Sequence, residues 1–252
     1  MHFYKRNDYT GEPESCHDIG VKKAKQIGAW PSVTSKAKCY SDGFLEQWSK
    51  NEAIKLAEVN PRIPGESDKD YCERISNLIF GEVNRHYDGK VFPSYEFGTA
   101  VHACLENHVI HGTPFPLEWE MYCKEWPIFL DNNRIETLSA ETIVMDDDLK
   151  LAGTIDYIGY FNGQPMLADF KTRKCKDGKG KFYPKDCLQL AIESQMYMDE
   201  NGLEELPMCL SVCIDVLTGT HYHKWYDEDQ VLKGIRKFRA INECYNIMEG
   251  WI

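Results

Sequence analysis

Two aspartates and a lysine flank a short turn in the sequence, and together they could hold a divalent cation. Asp156 precedes Asn162-Gly163, while Asp169 and Lys171 follow it. Asn-Gly between two apolar runs predicts a two-residue β-hairpin, because a type I′ turn needs positive φ at both central residues. In that register Asp156 faces Asp169 across the strand pair, and Lys171 projects from the same face as Asp169.

Opposed carboxylates of this kind favour a bound cation. They repel each other, and their ionisation is costly without a positive charge between them. A hard divalent cation would supply that charge, and the neighbouring lysine could orient an attacking water. The alternative is a solvated sheet face that carries ordinary charges. The apolar run Met166-Leu167-Ala168 before Asp169 argues against it, because it predicts a strand buried on both faces.

The elements that must position these residues mix helices and strands. The polar residues 1–30 predict loop or weak helix. Helices are predicted over residues 43–59, 68–87, 98–110, 184–201 and 227–248. Strands are predicted over residues 137–145, 151–161, 164–172, 208–217 and 221–226. We therefore expect an α/β fold with a mixed sheet flanked by helices. A mostly helical N-terminal lobe would span residues 1–90, and the core would span residues 91–252.

This order of elements and motifs resembles the PD-(D/E)XK nuclease superfamily, in its RecB-like branch. Gly98-Thr-Ala-Val-His102 is similar to the Gly-x-x-x-His motif of that branch, whose histidine joins the metal site. The resemblance implies a restriction-endonuclease-like core that binds Mg²⁺ or Mn²⁺ and hydrolyses phosphodiester bonds. It assigns the metal ligands to the side chains of His102, Asp156 and Asp169 and to the carbonyl of Phe170.

Three more residues receive roles from the same resemblance. Lys171 would be the catalytic lysine. Glu141 would be the upstream acid, although a structural carboxylate fits this position equally well. Gln189 matches the glutamine of the family's Gln-x-x-x-Tyr motif, but position 193 is Glu where the motif has Tyr. Tyr197, one helical turn further on, could take the place of that tyrosine.

A second resemblance is confined to the N-terminal lobe. Pro31-Ser-Val-Thr34, followed by Leu45-Glu-Gln-Trp48, is similar to the N-terminal signature of mitochondrial genome maintenance exonucleases and related phage nucleases. It implies that the N-terminal helices help to form a passage for single-stranded DNA. Trp30 and Trp48 could line this passage, although Trp48 at helical spacing also fits a core position.

A basic segment follows the predicted site directly. Between positions 171 and 186 there are seven lysines and arginines against two aspartates. Phosphate contacts would be useful at this place, and Phe182 and Tyr183 could stack on unpaired bases. The alternative is a solvated, flexible loop whose aromatic residues anchor it to the core. The predicted DNA-binding residues are Arg173, Lys174, Lys176, Lys179, Lys181 and Tyr183.

Composition limits the other classes of function. The 252 residues are 42% hydrophobic and 27% charged, which is typical of a globular protein. The net charge of −11 disfavours a protein that coats a polyanion without specificity. The ten cysteines are scattered without a CxxC pair or a tight C-terminal group, so we expect reduced thiols and no iron–sulfur cluster. His221 and His223 lie two positions apart on a predicted strand, so both imidazoles share one face. We expect a surface strand here rather than a zinc site.

Neither a membrane span nor a signal peptide is predicted, since no apolar run approaches about 18 residues. We expect a cytoplasmic protein of a prokaryotic or phage-infected cell, with DNA as its partner and no membrane contact. The predicted function is a metal-dependent DNA exonuclease that acts on single-stranded ends. Two alternatives stay open: a catalytically inactive DNA-binding protein with the nuclease fold, and a structure-specific endonuclease. The intact Asp156, Asp169 and Lys171 disfavour the inactive protein.

Overall fold

A computed structural model of the chain describes residues 2–16, 19–37 and 55–251. The strands are β1 (Phe3–Arg6), β2 (Pro13–Cys16), β3 (Trp30–Pro31), β4 (Glu82–Asn84), β5 (Val91–Pro93), β6 (Glu136–Asp146), β7 (Leu151–Phe161), β8 (Gln164–Arg173), β9 (Met208–Asp215) and β10 (His221–Tyr226). The helices are α1 (Val21–Gln26), α2 (Val33–Ala37), α3 (Asp68–Phe80), α4 (Ser94–His111), α5 (Leu117–Cys123), α6 (Glu125–Asn133), α7 (Pro184–Asn201) and α8 (Glu228–Met248).

The centre of the molecule is a five-stranded sheet in the order β10-β9-β8-β7-β6. Strands β8 and β9 are parallel and are connected through α7, whereas the other neighbouring pairs are antiparallel. A parallel pair needs such a crossover connection, and a helix commonly provides it. The predicted α/β fold with a mixed sheet flanked by helices is therefore confirmed.

Each face of the sheet has its own apolar cluster. On one face, α7 and α8 cover β7 with residues such as Leu190 and Phe238, and Val33 of α2 joins this cluster. On the other face, α4, α5 and α6 form an aromatic cluster in which the Trp126 ring lies edge-on to Tyr157, with ring centroids 4.9 Å apart. The functional side chains described below lie between these two helical layers. The division of the chain at residue 90 stays a prediction.

The β7–β8 hairpin has the predicted turn. Asn162 has φ +52° and Gly163 has φ +81°, as a type I′ turn requires, and Phe161 lies opposite Gln164. The register continues to Tyr157 opposite Ala168 and ends there, one pair before the two aspartates. The expectation that the aspartates face each other in a continuous ladder was wrong. Instead, one aspartate side chain enters the gap between the strands, as described below.

Three predictions about local structure need correction. The helix that begins at Asp68 ends at Phe80, because Gly81 takes a positive φ of +81° and the chain continues into the β4–β5 hairpin. Residues 1–30, expected as loop or weak helix, contribute β1, β2 and part of β3 to a small three-stranded sheet. Helices α5 and α6 were not predicted, although their buried residues recur at helical spacing. The buried residues are Trp119, Tyr122, Cys123, Trp126 and Leu130.

Two further predictions concern a helix over residues 43–59 and the absence of a membrane span. Most of the helix predicted over 43–59, including Leu45-Glu-Gln-Trp48, lies outside them, and residues 55–59 are helical. Within the ranges that the structure describes, no helix combines the length and apolar character that crossing a membrane requires.

Candidate metal centre

Three potential metal ligands from three different elements meet beside the central sheet. They are His102 of α4, Glu141 of β6 and Asp156 of β7. One ligand atom from each lies within 4.8 Å of the others, and all three residues are half-buried. The Nδ1 atom of His102 is 3.7 Å from Oδ2 of Asp156. The chain thus brings an imidazole and two carboxylates to one point, although they are up to 54 positions apart in sequence.

The glycine of Gly98-Thr-Ala-Val-His102 explains how α4 reaches this point. A Cβ atom on Gly98 would lie 2.9 Å from Oγ1 of Thr172 on β8, which is closer than real side chains approach. Because Gly98 has no Cβ, the helix can pack directly on the end of β8. His102 follows one turn later on the same side of the helix and therefore points at the site.

Glu141 lies in an unusual backbone conformation. Its φ is +49°, a left-handed value that is uncommon for a residue other than glycine or asparagine. The residues on either side of Glu141 are in register with those on either side of Asp156, so the two carboxylates are neighbours across β6 and β7. Backbone strain of this kind concentrates at functional sites. Sequence spacing could not place Glu141, whereas the structure puts its carboxylate beside Asp156.

Asp156 marks an irregularity in β7. Ile155 and Ile158 both pack into the cluster under α7, although residues an odd number of positions apart in a regular strand face opposite sides. The change of phase between them lets the Asp156 side chain enter the gap between β7 and β8. There its Oδ2 atom accepts a hydrogen bond of 2.7 Å from the backbone N–H of Phe170.

Asp169 and Lys171 form an ion pair on β8, on the side of the strand that faces α7. Asp169 is 2% exposed; its Oδ1 pairs with the Lys171 ammonium, while its buried Oδ2 accepts no hydrogen bond from the described residues. Burial raises the pKa of Asp169 to about 7, against the lowering effect of Lys171. Burial lowers the pKa of Lys171, but Asp169 and Asp156 outweigh it and the pKa is raised.

The electrostatics and the donor set fit a divalent cation. Burial, assisted by Asp156 and Glu106, raises the pKa of Glu141 to about 7. Carboxylates whose ionised forms are this costly become stable when a cation shares their charge. Carboxylate oxygens and an imidazole nitrogen are common ligands of divalent metal ions, and Oδ2 of Asp169, which accepts no hydrogen bond from the described residues, is a further oxygen that can serve as a ligand.

Gln189 and Glu193 lie next to this centre on α7. Both are buried, and Nε2 of Gln189 donates a hydrogen bond of 3.2 Å to Oε1 of Glu193. The Glu193 side chain lies over Gly153, where an added Cβ would come within 3.0 Å of it. Burial raises the pKa of Glu193, and the nearby Asp169 raises it further. The position that holds Tyr in the Gln-x-x-x-Tyr motif therefore places another acid beside Asp169.

Tyr197 lies one further turn along α7 from Glu193. It is buried in the apolar cluster under α7, and burial together with Tyr160 raises its pKa. That Tyr197 takes the place of the motif's tyrosine stays a prediction.

Sequence reasoning missed two residues beside the centre. Glu106 lies one turn after His102 on α4, and this spacing alone could have identified it as a neighbour. Tyr4 of β1 shares a hydrogen bond of 2.9 Å with Oγ1 of Thr154, close enough to the acids for Glu193 and Glu141 to raise its pKa, after the larger effect of burial. No sequence signal connects Tyr4 with β7, because the contact spans 150 positions.

An open cleft of about 880 Å³ gives access to the centre between α4, the middle of β6 and the end of β8. The side chains that line it include Thr99, His102, Glu106, Glu141, Lys171 and Lys185. A substrate in this cleft would meet both the potential metal ligands and the Lys171 ammonium.

The basic segment after β8 is anchored to the core by Arg173. Both terminal nitrogens of Arg173 donate to the carboxylate of Asp186, each at 2.7 Å, and Asp186 is 1% exposed. Arg173 also donates to the carbonyl of Lys181. These contacts occupy the guanidinium that was predicted to bind DNA, so in this structure it holds the two ends of the loop together.

The other predicted DNA-binding residues divide into two kinds. Tyr183 is half-buried at the start of α7, and Arg173, Lys181 and Lys185 place their cations 4.6–5.8 Å from its ring centroid. The remaining lysines are exposed on the loop; they are Lys174, Lys176, Lys179 and Lys181.

The Pro31-Ser-Val-Thr34 segment packs behind the metal centre. Ser32 forms a bridge with Ala152 at the start of β7, and the Val33 side chain lies against Gly153. The indole of Trp30 donates a hydrogen bond of 2.7 Å to Asp147, at the β6–β7 turn. The proposed role of Trp48 lies outside the described residues.

The two histidines of β10 have structural contacts. His221 is buried, and its Nε2 lies 2.8 Å from the carbonyl oxygen of Tyr122. The His223 ring stacks on Phe129 with centroids 3.9 Å apart. The expectation of a surface strand was therefore wrong, because α5 and α6 cover this face.

Comparison with known proteins gives distant matches. No family model matches the chain. An uncharacterized Caenorhabditis elegans protein, T16H12.3, is 33% identical over 85 residues, which are 34% of this chain and 19% of that protein. The match thus spans about a fifth of the relative's length.

Two solved structures are similar in part. A protein from Eubacterium rectale whose proposed activity is that of an exonuclease is 10% identical, with a TM-score of 0.44 over 94% of this chain and 86% of its own. The protein SSO0001 is 12% identical, with a TM-score of 0.33 over 80% of this chain and 88% of its own. Likenesses this distant transfer neither substrate nor mechanism, so the chemistry rests on the site itself.

Proposed function

We propose that this protein is a metal-dependent deoxyribonuclease of the PD-(D/E)XK type, which hydrolyses DNA from single-stranded ends. One observation carries the proposal: His102, Glu141 and Asp156 meet beside a cleft that is also lined by Lys171, whose ammonium pairs with the buried Asp169. Phosphodiester hydrolysis requires a cation at the phosphate, a positioned water and a positive charge for the developing oxyanion. These residues can provide all three at one place.

The proposed ligands are His102, Glu141, Asp156, Oδ2 of Asp169 and the carbonyl of Phe170. Bound Mg²⁺ or Mn²⁺ would polarise the phosphoryl group and lower the pKa of a coordinated water. The N–H of Phe170 orients the Asp156 carboxylate, and Lys171 orients Asp169 through its Oδ1. These contacts fix the carboxylates before substrate arrives, which is what a precise site requires.

Lys171 acts as a fixed cation in this proposal. Burial lowers its pKa, but Asp169 and Asp156 outweigh this effect and raise it, which favours the protonated ammonium at neutral pH. Its side chain is 26% exposed toward the cleft, where the ammonium can donate hydrogen bonds to the attacking water and to a phosphate oxygen. Such donors stabilise the charge that develops on the phosphate.

The substrate assignment rests on two supports. Exposed lysines lie on the loop between β8 and α7, beside the cleft, where phosphate contacts can form. The preference for single-stranded ends rests on the resemblance of Pro31-Ser-Val-Thr34 and its following residues to single-strand exonucleases. For the location we keep the expectation from the sequence, which is the cytoplasm of a prokaryotic or phage-infected cell.

The test is hydrolysis of end-labelled linear and circular single-stranded DNA with Mg²⁺, Mn²⁺ or EDTA. We expect metal-dependent loss of the linear strand only, and a decrease of about 100-fold or more in Asp169→Asn and Lys171→Met. Asp131→Asn and Lys124→Met, at exposed positions of α6 and the α5–α6 junction, serve as matched controls. Cleavage of the circle would indicate the endonuclease alternative. Binding without cleavage by folded protein would indicate the inactive DNA-binding protein.

A further inference from the structure

Three lysines that are scattered in the sequence meet at a second groove. Lys224 of β10 and Lys233 and Lys237 of α8 line it together with Tyr183 at the start of α7. Its volume is about 220 Å³. We call it the lysine groove. Sequence reasoning did not identify this groove, because only the packing of β10 and α8 against α7 brings these side chains together.

Among the described residues, only Lys233 of the three groove lysines has an ion-pair partner. Lys233 pairs with Asp229, and both side chains are exposed. Lys224 and Lys237 form no ion pair with any residue in the described ranges. Burial raises the pKa of the Cys187 thiol in the groove; the charges of Lys224 and Lys237 oppose that rise, and the nearby Asp186 and Asp227 add to it. In a chain with a net charge of −11, such a local excess of cations favours an anionic partner.

The lysine groove continues the proposed catalytic cleft. Lys185 lines the cleft, and its Nζ lies 5.8 Å from the ring centroid of Tyr183, which lines the groove. The two depressions therefore meet across the first turn of α7, an 18-residue helix whose N-terminus carries a partial positive charge. A polyanion could run from Lys171 past Lys185 to Lys224 and Lys237 and contact these lysines in turn.

Aromatic residues accompany these cations. The Phe182 ring is half-exposed, with the Lys224 ammonium 5.8 Å from its centroid. Gly180 brings the loop onto β10, since a Cβ there would lie 2.4 Å from Cβ of Tyr222. Cations that follow a backbone, interleaved with aromatic faces, are typical of surfaces for single-stranded nucleic acid.

From these contacts we infer that the lysine groove binds the backbone of single-stranded DNA that extends out of the catalytic cleft. The inference rests on the proposed function, because it assigns the path of the same substrate. Lys224 and Lys237 are its central phosphate contacts, and the first turn of α7 connects the groove with the cleft.

The test is equilibrium binding of fluorescent oligothymidylates of 4 and 16 nucleotides, with Ca²⁺ as the metal and intact DNA verified on a gel. In K224Q/K237Q we expect at least a five-fold weaker affinity for the 16-mer and a smaller change for the 4-mer. The dependence of log K on log salt should become shallower by about 1.4, at about 0.7 for each lost phosphate contact. K224R/K237R should keep the wild-type values, and K22Q/K23Q, at exposed positions of α1, is the matched control.

The outcomes separate the two proposals. Unchanged affinity and salt dependence in K224Q/K237Q would overturn the lysine groove as a DNA path, as would equal losses for both lengths or no binding of the 16-mer by the wild type. Hydrolysis with Mg²⁺ or Mn²⁺ is measured separately on the wild type. If the wild type binds both oligonucleotides but cuts neither, the nuclease proposal fails while the groove assignment stands on the binding data.

Discussion

Lys171 and Lys36 are both largely covered by the protein, and their surroundings differ in charge. Lys171 lies among acids: burial lowers its pKa, but Asp169 and Asp156 outweigh this effect and raise it. Lys36 of α2 is completely buried, and no described carboxylate lies within hydrogen-bonding distance of it. Burial lowers the pKa of Lys36 to about 7, and the nearby charge of Lys150 lowers it further.

Neutral oxygen atoms surround the Lys36 ammonium. Its Nζ donates to Oδ1 of Asn242 at 2.5 Å, to the carbonyl of Lys150 at 2.6 Å and to Oδ1 of Asn246 at 2.9 Å. These acceptors belong to α8 and to the turn between β6 and β7. Lys36 thus connects α2 with two other parts of the core.

The difference shows how neighbours decide what a buried cation can do. At Lys171 the acids keep the ammonium charged and aim it into an open cleft, which suits phosphate chemistry. At Lys36 the cage satisfies hydrogen bonds without neutralising charge, and Lys36 is not among the residues that line the cleft at the metal centre. We therefore interpret Lys171 as a functional group and Lys36 as a structural connector.

The largest expected effect is a difference in hydrolysis rate between variants of Lys171 and Lys36. Lys171→Met should lower single-strand hydrolysis by about 100-fold or more, because it removes the charge that faces the phosphate. Lys36→Met should change hydrolysis less than about two-fold when assayed below its unfolding temperature, since chemistry at the cleft does not involve it. Initial rates at saturating Mn²⁺ measure both. Equal losses of activity in the two variants would contradict the functional role of Lys171 and the structural role of Lys36.

The next effect concerns metal and pH at the acidic centre. In EDTA, Glu141 and Asp169 have raised pKa values of about 7 in the folded protein. Between about pH 4 and 7 these carboxyls are therefore ionised in the unfolded chain but still largely protonated in the folded protein. The free energy of unfolding should fall as pH rises over this window. Mn²⁺ at 100 times its dissociation constant should restore about 2.7 kcal/mol at pH 7.5. Urea unfolding with EDTA or Mn²⁺ at several pH values measures both terms. Asp169→Asn should weaken the response to Mn²⁺, whereas a full response in this variant would remove Asp169 from the ligand set.

Removing the Lys36 side chain should cost stability. Lys36→Met leaves the carbonyl of Lys150 and the amide oxygens of Asn242 and Asn246 without their donor, which should lower the free energy of unfolding by about 1–3 kcal/mol. Urea denaturation at pH 7 measures it. Lys22→Met, at an exposed position of α1, is the control and should change stability by less than about 0.5 kcal/mol. Equal stability of both variants would show that the cage contributes nothing.

A smaller effect is the pH dependence of the same cage. The pKa of Lys36 is about 7 in the folded protein and higher in the unfolded chain, so between pH 7 and about 10 the unfolded chain binds more protons. The free energy of unfolding should therefore rise with pH over this window, and the rise should be smaller in Lys36→Met. Identical slopes in variant and wild type would contradict the lowered pKa.

The sequence predicted those parts of the fold and site that depend on local pattern. The Asn162-Gly163 turn fixed the hairpin register, and apolar periodicity located all five strands of the central sheet. The phase change at Asp156 and the left-handed Glu141 could not be predicted, because both depend on how β6, β7 and β8 diverge around the site.

Other features depend on contacts between distant segments. Nothing around Lys36 distinguishes it from an exposed lysine, since its partners lie more than 100 positions away. The Arg173–Asp186 pair inside the basic segment was invisible for a related reason: spacing gives the charges but not which of them neutralise each other. The groove formed by Lys224 and Lys237 likewise requires the packed structure.

The most direct test of the metal centre is a calorimetric titration of Mn²⁺ into the metal-free protein at pH 7.5, for the wild type, Asp156→Asn and the control Asp131→Asn. We expect binding by the wild type and the control, and at least a ten-fold weaker affinity in Asp156→Asn. Absence of Mn²⁺ binding by the wild type, or equal affinities in all three proteins, would contradict the assignment of His102, Glu141, Asp156 and Asp169 as a metal centre.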